Sequence, residues 1–524
     1  MVQARGTATA RLVLVAMTLA NSMILVDQTA VPLALPAIMK DFGVQSQAVQ
    51  WVLNGSLLPL AGLLVFGGRL GDLLGRRRIF LLGLAVFAGA SAIGGMAPSF
   101  PLLLLARVAQ GAGGALMLPG SVALLSAAFP PEKRGSALGT MGGAAAVAGA
   151  LGPTIGGVLA TASWRAVLLV NVPLAVVCFY LTLRAVPADG PRRDRQHIDL
   201  SGTVLLCVTL AGLVFGLSQT QGDDVAPWQV LGPVAVAVAA GVAFAARERR
   251  AHNPLMSLSM LRTRRNYLGA TMSQGLAGMA EMGLGVIFPL MLILNLGMSP
   301  ALAGLALAPA TLPMIVLAPL AGRWYDRVGG RPPLMVGFGV LAAAGPVLAW
   351  GALTESYPAI LPGLLLYGVG LALVLTVNDP VSLDSIPAAD KGQASGVAAT
   401  AEQGGGAIGI ALLYAVFHAT YVGQLHQRVN QGPLADLTNP QYAALRDDLE
   451  AAEQTGLHPS QFDPAFEAYL IPAREASSIG YAAAFLATTA IALVGLVVSA
   501  WLVRRPPDPD AVGRPDEPSA SPTA

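Results

Sequence analysis

The sequence predicts an all-α polytopic membrane protein, and three observations support that fold class. First, 54% of the 524 residues are hydrophobic and 11% are charged, with a mean hydropathy of +0.63. Second, fourteen apolar segments are each long enough to cross a bilayer, which takes about 20 helical residues. Third, the basic residues fall between alternate segments. A water-soluble globular domain has neither this composition nor this spacing.

The fourteen predicted spans follow one another with mostly short connections. In chain order they cover residues 12–39, 48–68, 79–97, 102–128, 136–161, 165–186, 199–219, 227–246, 266–296, 301–322, 334–353, 358–382, 393–421 and 477–503. Lys and Arg cluster after the even-numbered spans, and the opposite connections contain few of them. By the positive-inside rule both termini are cytoplasmic. The preference for Ala, Gly and Arg over Lys suggests a bacterial source, and hence a location in the bacterial plasma membrane.

Two stretches lie outside the spans. The connection 423–475 is predicted to be external, and within it Tyr442–Glu453 has the spacing of a helix. This segment is either a lid over the outer mouth or a loosely packed surface hairpin. Residues 504–524 are rich in Pro, Asp and Ser, which predicts a disordered cytoplasmic tail.

An internal repeat divides the chain into two halves. The stretch Gly68–Arg77 aligns with Gly322–Arg331 at a shift of 254 residues, and the same shift takes Asp27 to Glu281. A repeat of this kind predicts two six-helix bundles, and the shift is long enough to leave room for two extra spans. The predicted boundaries are 1–186 for the N-terminal bundle, 187–250 for the inserted spans seven and eight, and 251–503 for the C-terminal bundle.

Several of these stretches resemble the signatures of one family. Gly68–Ile79 is similar to the loop between spans two and three of the major facilitator superfamily. Asp27–Thr29, Arg107–Gly111 and Gly152–Gly157 resemble the first-, fourth- and fifth-span motifs of its fourteen-span drug:proton antiporters, which are multidrug and antibiotic exporters. The resemblance covers nearly the whole chain. It implies the major facilitator fold, alternating access and efflux driven by the proton motive force.

The central candidate residue is Asp27, a carboxylate within the apolar run 12–39. An Asp at the centre of a membrane helix costs about 2.5–3.5 kcal/mol on insertion scales, so it is expected to face the bundle interior. We interpret Asp27 as the proton-coupling site, with Arg107 at a similar depth as its modulator. The alternative is a static Asp27–Arg107 ion pair. Glu281 and Glu402 are further candidates for protonation or cation binding, against the alternative of ordinary polar packing.

A cytoplasmic gate is predicted in the loop between spans two and three and in its repeat. In this gate Asp72 is expected to accept hydrogen bonds from a neighbouring helix N-terminus and to pair with arginines, which holds the two halves together. The alternative is that the arginines only anchor the topology. The gate comprises Gly68, Asp72, Gly75, Arg76, Arg77, Asp326 and Arg327.

Span five carries the predicted antiporter motif, Gly152, Pro153, Gly156 and Gly157. Small residues four apart predict close helix packing, and the proline predicts a bend. Ordinary close packing is the simpler interpretation. A role in sealing the protein against leak is implied only by the resemblance.

A cavity for varied substrates is expected to be wide, apolar and rich in flexible methionine. The candidates for its lining are Met23, Gln28, Met279, Phe288 and Asn378. The alternative for the methionines is contact with lipid or with a neighbouring helix.

These observations predict a proton-coupled antiporter that exports apolar or cationic drugs. A dedicated exporter of one antibiotic or secondary metabolite, giving self-resistance, is the first alternative, and a non-transporting membrane sensor is a distant one. We expect the protein to act as a monomer in the lipid bilayer on a small-molecule substrate, with the proton as coupling ion and with no cofactor and no metal.

Other classes of protein fit the sequence poorly. An ATP-driven pump requires a Gly-Lys pair within its phosphate-binding loop, and the chain contains no such pair. No H-E-x-x-H or G-x-S-x-G motif is present, which disfavours an enzyme. The net charge of +2 gives no reason to expect a nucleic-acid partner.

Overall fold

The computed structural model describes residues 2–44, 46–189, 199–219, 226–250, 261, 263–384, 386, 391–428, 432–436, 438–450 and 468–504. Most of these residues are helical, and none of them is in a strand. Thirteen helices are long and apolar enough to cross a membrane. A fourteenth results when Thr140–Gly149 and Leu151–Ala162, which meet at 41°, are counted as one bent span. The bend lies beside Pro153, whose ring removes a backbone hydrogen bond. The fold predicted from the sequence, with fourteen spans, is therefore confirmed.

The spans are numbered 1 to 14 in chain order. Their bounds are Thr9–Phe42, Trp51–Leu74, Arg76–Gly95, Phe100–Ala128, Pro131–Ala162, Trp164–Ala185, Leu200–Gln219, Pro227–Glu248, Arg265–Asn295, Pro300–Val328, Arg331–Leu353, Tyr357–Ser382, Ala394–Arg428 and Leu470–Leu502. Span 1 is interrupted by a 3₁₀ turn at Val31–Ala34, where Pro32 cannot donate to an α-helical ladder. Span 9 ends in a π-helical turn at Met291–Asn295.

The packing pattern repeats with a shift of eight spans. Span 1 packs against spans 4, 5 and 6, and span 9 packs against spans 12, 13 and 14. Likewise span 3 lies against spans 4 and 6, as span 11 lies against spans 12 and 14. The sequence shift of 254 residues thus has a structural counterpart: two bundles built in the same way.

The two halves meet through spans 2 and 13 on one side and spans 5 and 10 on the other. At the predicted external end, one buried apolar cluster runs across this boundary and includes Val52 and Trp164 from the first half and Phe288 and Ala303 from the second. The halves are therefore packed together at that end.

The inserted spans cover the seam between spans 2 and 13. Span 7 contacts both of these spans, whereas span 8 packs mainly on span 7 and exposes apolar side chains such as Trp228 and Val242. Asp199 and Arg247 join the predicted cytoplasmic ends of spans 7 and 8 by an ion pair of 2.8 Å. Burial favours the neutral form of Asp199, but hydrogen bonds from the Gly202 N–H and the Arg247 guanidinium outweigh this effect and lower its pKa.

The long connection before span 14 contains the helix Pro440–Glu450, close to the predicted segment Tyr442–Glu453, of which residues 451–453 lie outside the described part of the chain. Leu445 and Leu449 are buried, and the Tyr421 hydroxyl of span 13 donates a hydrogen bond to the Leu449 carbonyl. The helix is therefore packed onto the C-terminal half rather than loosely attached. The predicted tail beyond residue 504 also lies outside the described residues.

Candidate functional site

The first part of the site is a buried polar network around Asp27 in the N-terminal half. The Asp27 carboxylate is 4% exposed and accepts three hydrogen bonds. Arg107 Nη1 donates to Oδ2 at 2.7 Å, while Gln110 Nε2 and Asn171 Nδ2 donate to Oδ1 at 2.9 and 3.1 Å. Spans 1, 4 and 6 thus converge on one carboxylate, whose charge is compensated by a guanidinium.

Arg107 is held from several sides. Besides Asp27, its guanidinium donates to the Val52 carbonyl, to Ser56 Oγ and to Gln110 Oε1, each at 2.6 Å. Gln110 also donates to Ser91 Oγ at 2.9 Å, which brings span 3 into the network. A buried ion pair is tolerated only when its remaining donors and acceptors are also satisfied, and this pair meets that condition on the Arg107 side.

Glycine makes the approach of spans 2 and 4 possible. A Cβ atom at Gly111 would lie 2.1 Å from the Ser56 carbonyl oxygen, so no larger residue fits there. Because Gly111 follows Arg107 by one helical turn, the same close contact lets the guanidinium reach the backbone of span 2 at Val52. The fourth-span motif therefore combines a charge with the small residue that positions it.

The sequence analysis placed Asp27 and Arg107 at a similar depth, and in the structure the two side chains form an ion pair, which fits both the proton-coupling interpretation and the static alternative. It did not identify the other members of the network: Ser56, Ser91, Gln110 and Asn171. Each is a polar residue inside an apolar span, and Gln110 lies within the fourth-span motif Arg107–Gly111 that the sequence already distinguished. Polar residues within apolar spans were therefore the sequence feature from which these members of the network could have been predicted.

The fifth-span motif has two packing faces. Gly152 and Gly156 face span 1, where added Cβ atoms would clash with Thr29 and Ala30. Gly157 faces the other half, because its Cβ would lie 2.3 Å from the Pro300 carbonyl oxygen at the start of span 10. In return, a Cβ at Gly304 of span 10 would lie 2.3 Å from the Pro153 carbonyl oxygen. The motif thus closes the contact between the halves at the predicted external end.

At the predicted cytoplasmic gate the contacts stay within the N-terminal part of the chain. Asp72 forms an exposed ion pair of 2.8 Å with Arg76, one turn away in sequence. The N-terminus of span 3 is instead capped by Asp189, which accepts from the N–H groups of Arg77 and Arg78 at 3.1 and 3.0 Å. Gly75, at the turn before span 3, has φ +108°, a conformation that favours glycine.

The remaining gate residues do not add a contact between the halves. Asp326 and Arg327 are exposed at the end of span 10. Among the described residues, the hydrogen bonds of Asp72 and Asp189 join spans 2 and 3 and the segment after span 6. A clasp between the two halves at this point therefore stays a prediction.

The C-terminal half carries its own polar side chains. Glu281 and Glu402 are half-buried in spans 9 and 13. The Gln274 amide donates a hydrogen bond to Glu402 Oε2, and the Tyr367 hydroxyl donates to the Glu281 carbonyl oxygen at 3.3 Å. Within the described ranges, no group of three or more His, Cys, Asp or Glu side chains could hold a metal ion.

The five predicted cavity residues occupy different environments. Met23 is 1% and Phe288 3% exposed, so both are packed into apolar cores in this conformation. Met279 is half-buried. Gln28 Nε2 donates to Gln403 Oε1 at 2.8 Å, a hydrogen bond that joins the two halves. Asn378 is 1% exposed, and among the described residues neither its amide nitrogen nor its amide oxygen has a hydrogen-bond partner.

Comparison with known proteins is consistent with this architecture. Residues 17–410 match the family model of the Major Facilitator Superfamily. The chain is 35% identical to the tetracenomycin C resistance and export protein of Streptomyces glaucescens over 94% of its own length and 92% of that protein. It is 36% identical to a cephamycin export protein of Amycolatopsis lactamdurans, over 78% of this chain and 85% of the other.

Two further comparisons also match this chain to transporters. A multidrug resistance protein, Stp, of Mycobacterium tuberculosis is 33% identical over 78% of this chain and 76% of its own. Among solved structures, a bacterial homologue of the human lysosomal transporter Spinster superposes with a TM-score of 0.62 at 17% identity, over 93% of this chain and 95% of that one, which is a likeness of fold. The chain therefore belongs to the Major Facilitator Superfamily, and it is a multi-pass membrane transporter, not an enzyme, whose relatives export antibiotics and other drugs.

Proposed function

We propose that this protein is a proton-coupled antiporter that exports antibiotic-like small molecules by alternating access, with Asp27 as the proton-coupling site. The observation that supports this most directly is the buried network in which Asp27 is held by Arg107, Gln110 and Asn171. Acidic residues inside transmembrane segments face bundle interiors or water-filled cavities and commonly serve as proton relays. The similarity of the chain to antibiotic and drug exporters supports export of a drug as the step that is coupled to proton entry.

The turn of span 1 that contains Asp27 is placed so that a change at the carboxylate reaches the interface. Asp27 binds Arg107, Gln28 bonds to Gln403 in the other half, and Thr29 packs on Gly152 of span 5. Protonation of Asp27 removes its charge and weakens the bond to Arg107, which keeps its three other acceptors. Span 1 is then released from span 4 at the level where it touches both span 5 and the C-terminal half.

The proposed orientation places both termini in the cytoplasm and the contact between Gly157 and Pro300 at the external end. With that end packed, the structure corresponds to a state that is closed to the outside. We further propose that the transporter acts as a monomer in the bacterial plasma membrane, with the proton as its coupling ion and no other cofactor.

Two specificities are compatible with this function. Relatives that are named for tetracenomycin C or cephamycin favour a dedicated exporter of one antibiotic, and Stp favours a multidrug exporter. Transport of several unrelated antibiotics into proteoliposomes separates these two, because a dedicated exporter moves only one of them.

The decisive experiment imposes a pH gradient on proteoliposomes and measures drug accumulation. The parent protein is expected to concentrate the drug only when the gradient is present, and Asp27→Asn is expected to lose gradient-driven accumulation. Glu475→Gln is the matched control, because that carboxylate is exposed, pairs with Arg428 and lies outside both the Asp27 network and the predicted gate. Full uphill transport by Asp27→Asn would refute the assignment of the proton site. Absence of any gradient-driven transport by the parent protein would instead favour a membrane sensor.

A further inference from the structure

Uptake of a proton by Asp27 places a demand on its neighbours that the ionised carboxylate does not. A carboxylate only accepts hydrogen bonds, whereas a carboxylic acid also carries one O–H donor. Because Asp27 is 4% exposed, this O–H needs an acceptor inside the protein, and a buried donor without one is costly. The network around Asp27 therefore has to offer an acceptor when the proton is bound.

The contacts of Asp27 decide which of its two oxygens can carry the proton. Oδ2 accepts from Arg107 Nη1 at 2.7 Å, and a guanidinium has donors only. A proton on Oδ2 would therefore point at another N–H group. The proton belongs on Oδ1, whose neighbours are the side-chain amides of Gln110 at 2.9 Å and Asn171 at 3.1 Å.

Gln110 cannot turn to accept this proton. Its oxygen Oε1 accepts from Arg107 Nη1 at 2.6 Å. Its nitrogen Nε2 donates to both Asp27 Oδ1 and Ser91 Oγ at 2.9 Å. Rotation of this amide by half a turn would set its N–H groups against the guanidinium and would break all three bonds. Gln110 is thus fixed as a donor to Asp27.

Asn171 is the neighbour that can change its role. It is 1% exposed, and its nitrogen Nδ2 donates to Asp27, but among the described residues its oxygen has no hydrogen-bond partner. The other contact of Nδ2, with Ser91 Oγ, is weak at 3.5 Å. Rotation of this amide by half a turn exchanges the atom that lacks a partner, and it breaks no second strong bond. The Asn171 oxygen then faces the Asp27 O–H.

Arg107 is the only charge that faces this exchange in the N-terminal half. By sequence, Asp27 and Arg107 are the two charged side chains within the apolar stretches 12–39, 42–68, 79–131, 135–164 and 166–183 of spans 1 to 6. The thiol of Cys178, on span 6, donates instead to the Ala16 carbonyl. Span 13 faces the Asp27 turn with Gln403, a neutral amide. The groups that respond to the proton are therefore those of the network itself.

We propose that Asn171 is a positioning residue for the proton on Asp27: its amide donates to the ionised carboxylate and turns over to accept from the carboxylic acid. The inference rests on the proposed function, because it requires that Asp27 takes up a proton, and it adds the residue that stabilises both charge states. The proton comes from water, forms an O–H bond on Asp27 Oδ1 and returns to water on release. Asn171 itself neither gains nor loses a proton.

This exchange keeps span 6 attached to span 1 in both charge states. Arg107 loses its charged partner when Asp27 is protonated, whereas Asn171 retains one hydrogen bond to Asp27 throughout. Span 6 is interrupted at Val170, so Asn171 begins a helical segment of its own, Asn171–Ala185. Spans 1 and 6 therefore stay joined at this level while span 1 is released from span 4.

The test follows the Asn171 carbonyl by infrared difference spectroscopy while Asp27 is titrated. The protein is placed in lipid bilayers with asparagine that carries ¹³C in its side-chain carbonyl, and the pH is lowered stepwise. A carboxylic acid band of Asp27 is expected to appear. At the same pH midpoint one asparagine carbonyl band is expected to move to lower frequency, because that carbonyl begins to accept a hydrogen bond.

Variants assign the two bands. Both changes should be absent from Asp27→Asn, and the asparagine shift should be absent from Asn171→Leu. Asn171→Gln gives a second assignment that does not depend on the folding of the leucine variant, because it keeps an amide at this position but removes the ¹³C label.

Drug export gives an independent readout. Asn171→Leu keeps a branched side chain but leaves the Asp27 O–H without its acceptor, so gradient-driven export is expected to fall about tenfold. Thr182→Val is the matched control on the same span, since Thr182 is fully buried and its hydroxyl donates to the Cys178 carbonyl of its own helix at 2.8 Å. It is expected to change export by less than about twofold, because such a bond within one helix contributes little.

The outcomes separate this inference from the proposed function. An Asp27 acid band without a shift of the Asn171 carbonyl would overturn the inference and leave Asp27 as the proton site, and so would export by Asn171→Leu at the parental rate. Absence of any Asp27 acid band would overturn both and favour the static ion pair with Arg107. Paired band changes in a protein that exports no drug under a pH gradient would refute the proposed function and leave the role of Asn171 standing.

Discussion

Replacement of Arg107 by Met is the sharpest test of the buried network. The change removes a guanidinium that is 1% exposed and leaves Asp27 with hydrogen bonds from Gln110 and Asn171 only. Removal of one partner of a buried ion pair costs about 3–5 kcal/mol, because the other charge stays behind uncompensated. Since Asp27 keeps two of its three donors, we expect about 3 kcal/mol of lost unfolding free energy.

A double-mutant cycle isolates the pair from the rest of the network. Asp27→Asn alone should cost about 3 kcal/mol, since Arg107 then lacks its counter-ion, but the two changes together should cost about 2 kcal/mol less than their sum. The unfolding free energy is measured by SDS-induced unfolding in mixed micelles. A coupling energy below about 0.5 kcal/mol would refute the reasoning, because it would mean that the two charges do not depend on each other.

Three further perturbations test other parts of the fold. Asp189→Asn removes the cap of span 3 and should cost about 1 kcal/mol in the same unfolding assay, whereas Asp72→Asn, at an exposed pair, should cost at most about 0.5 kcal/mol. Gly157→Ala places a Cβ 2.3 Å from a carbonyl oxygen of span 10 and should reduce gradient-driven drug export several-fold, while Gly142→Ala meets nothing within 4 Å and should not. Asp199→Asn should destabilise the protein at neutral pH. Because the pKa of Asp199 is lowered in the fold, its contribution is present above its unfolded value of about 4 and lost as the pH falls through the lower folded value, so the two proteins should converge in acid.

The spans and the repeat were predictable because each depends on a property that a short stretch of sequence carries by itself. A bilayer selects for about 20 apolar residues per helix, and that requirement marks every span without reference to its neighbours. The equivalence of Gly68–Arg77 and Gly322–Arg331 could likewise be recognised from the sequence alone, because the two stretches align residue by residue. The order of packing then follows, since two bundles of similar sequence pattern pack alike.

The contacts of the site depend on how the bundles dock, and here the sequence was insufficient. Gln28 and Gln403 are 375 positions apart, and Asp189 caps a helix 112 positions away. Met23 was a plausible cavity residue, yet it is packed in the core of the N-terminal half. A span that is apolar on every side gives no periodicity from which to decide which face is inside. Only polar residues within spans, such as Asp27 and Asn171, carry that information.

The two halves surround their membrane-embedded carboxylates with different partners. Asp27 has a permanent counter-ion in Arg107, so its charge is tolerated in the fold even when no ligand is present. In the described part of the chain, Glu402 accepts a hydrogen bond from the Gln274 amide and forms no ion pair, so a charge on it would be less well compensated than the charge of Asp27. The two environments are joined across the interface, because Gln403, the residue after Glu402, accepts a hydrogen bond from Gln28, the residue after Asp27.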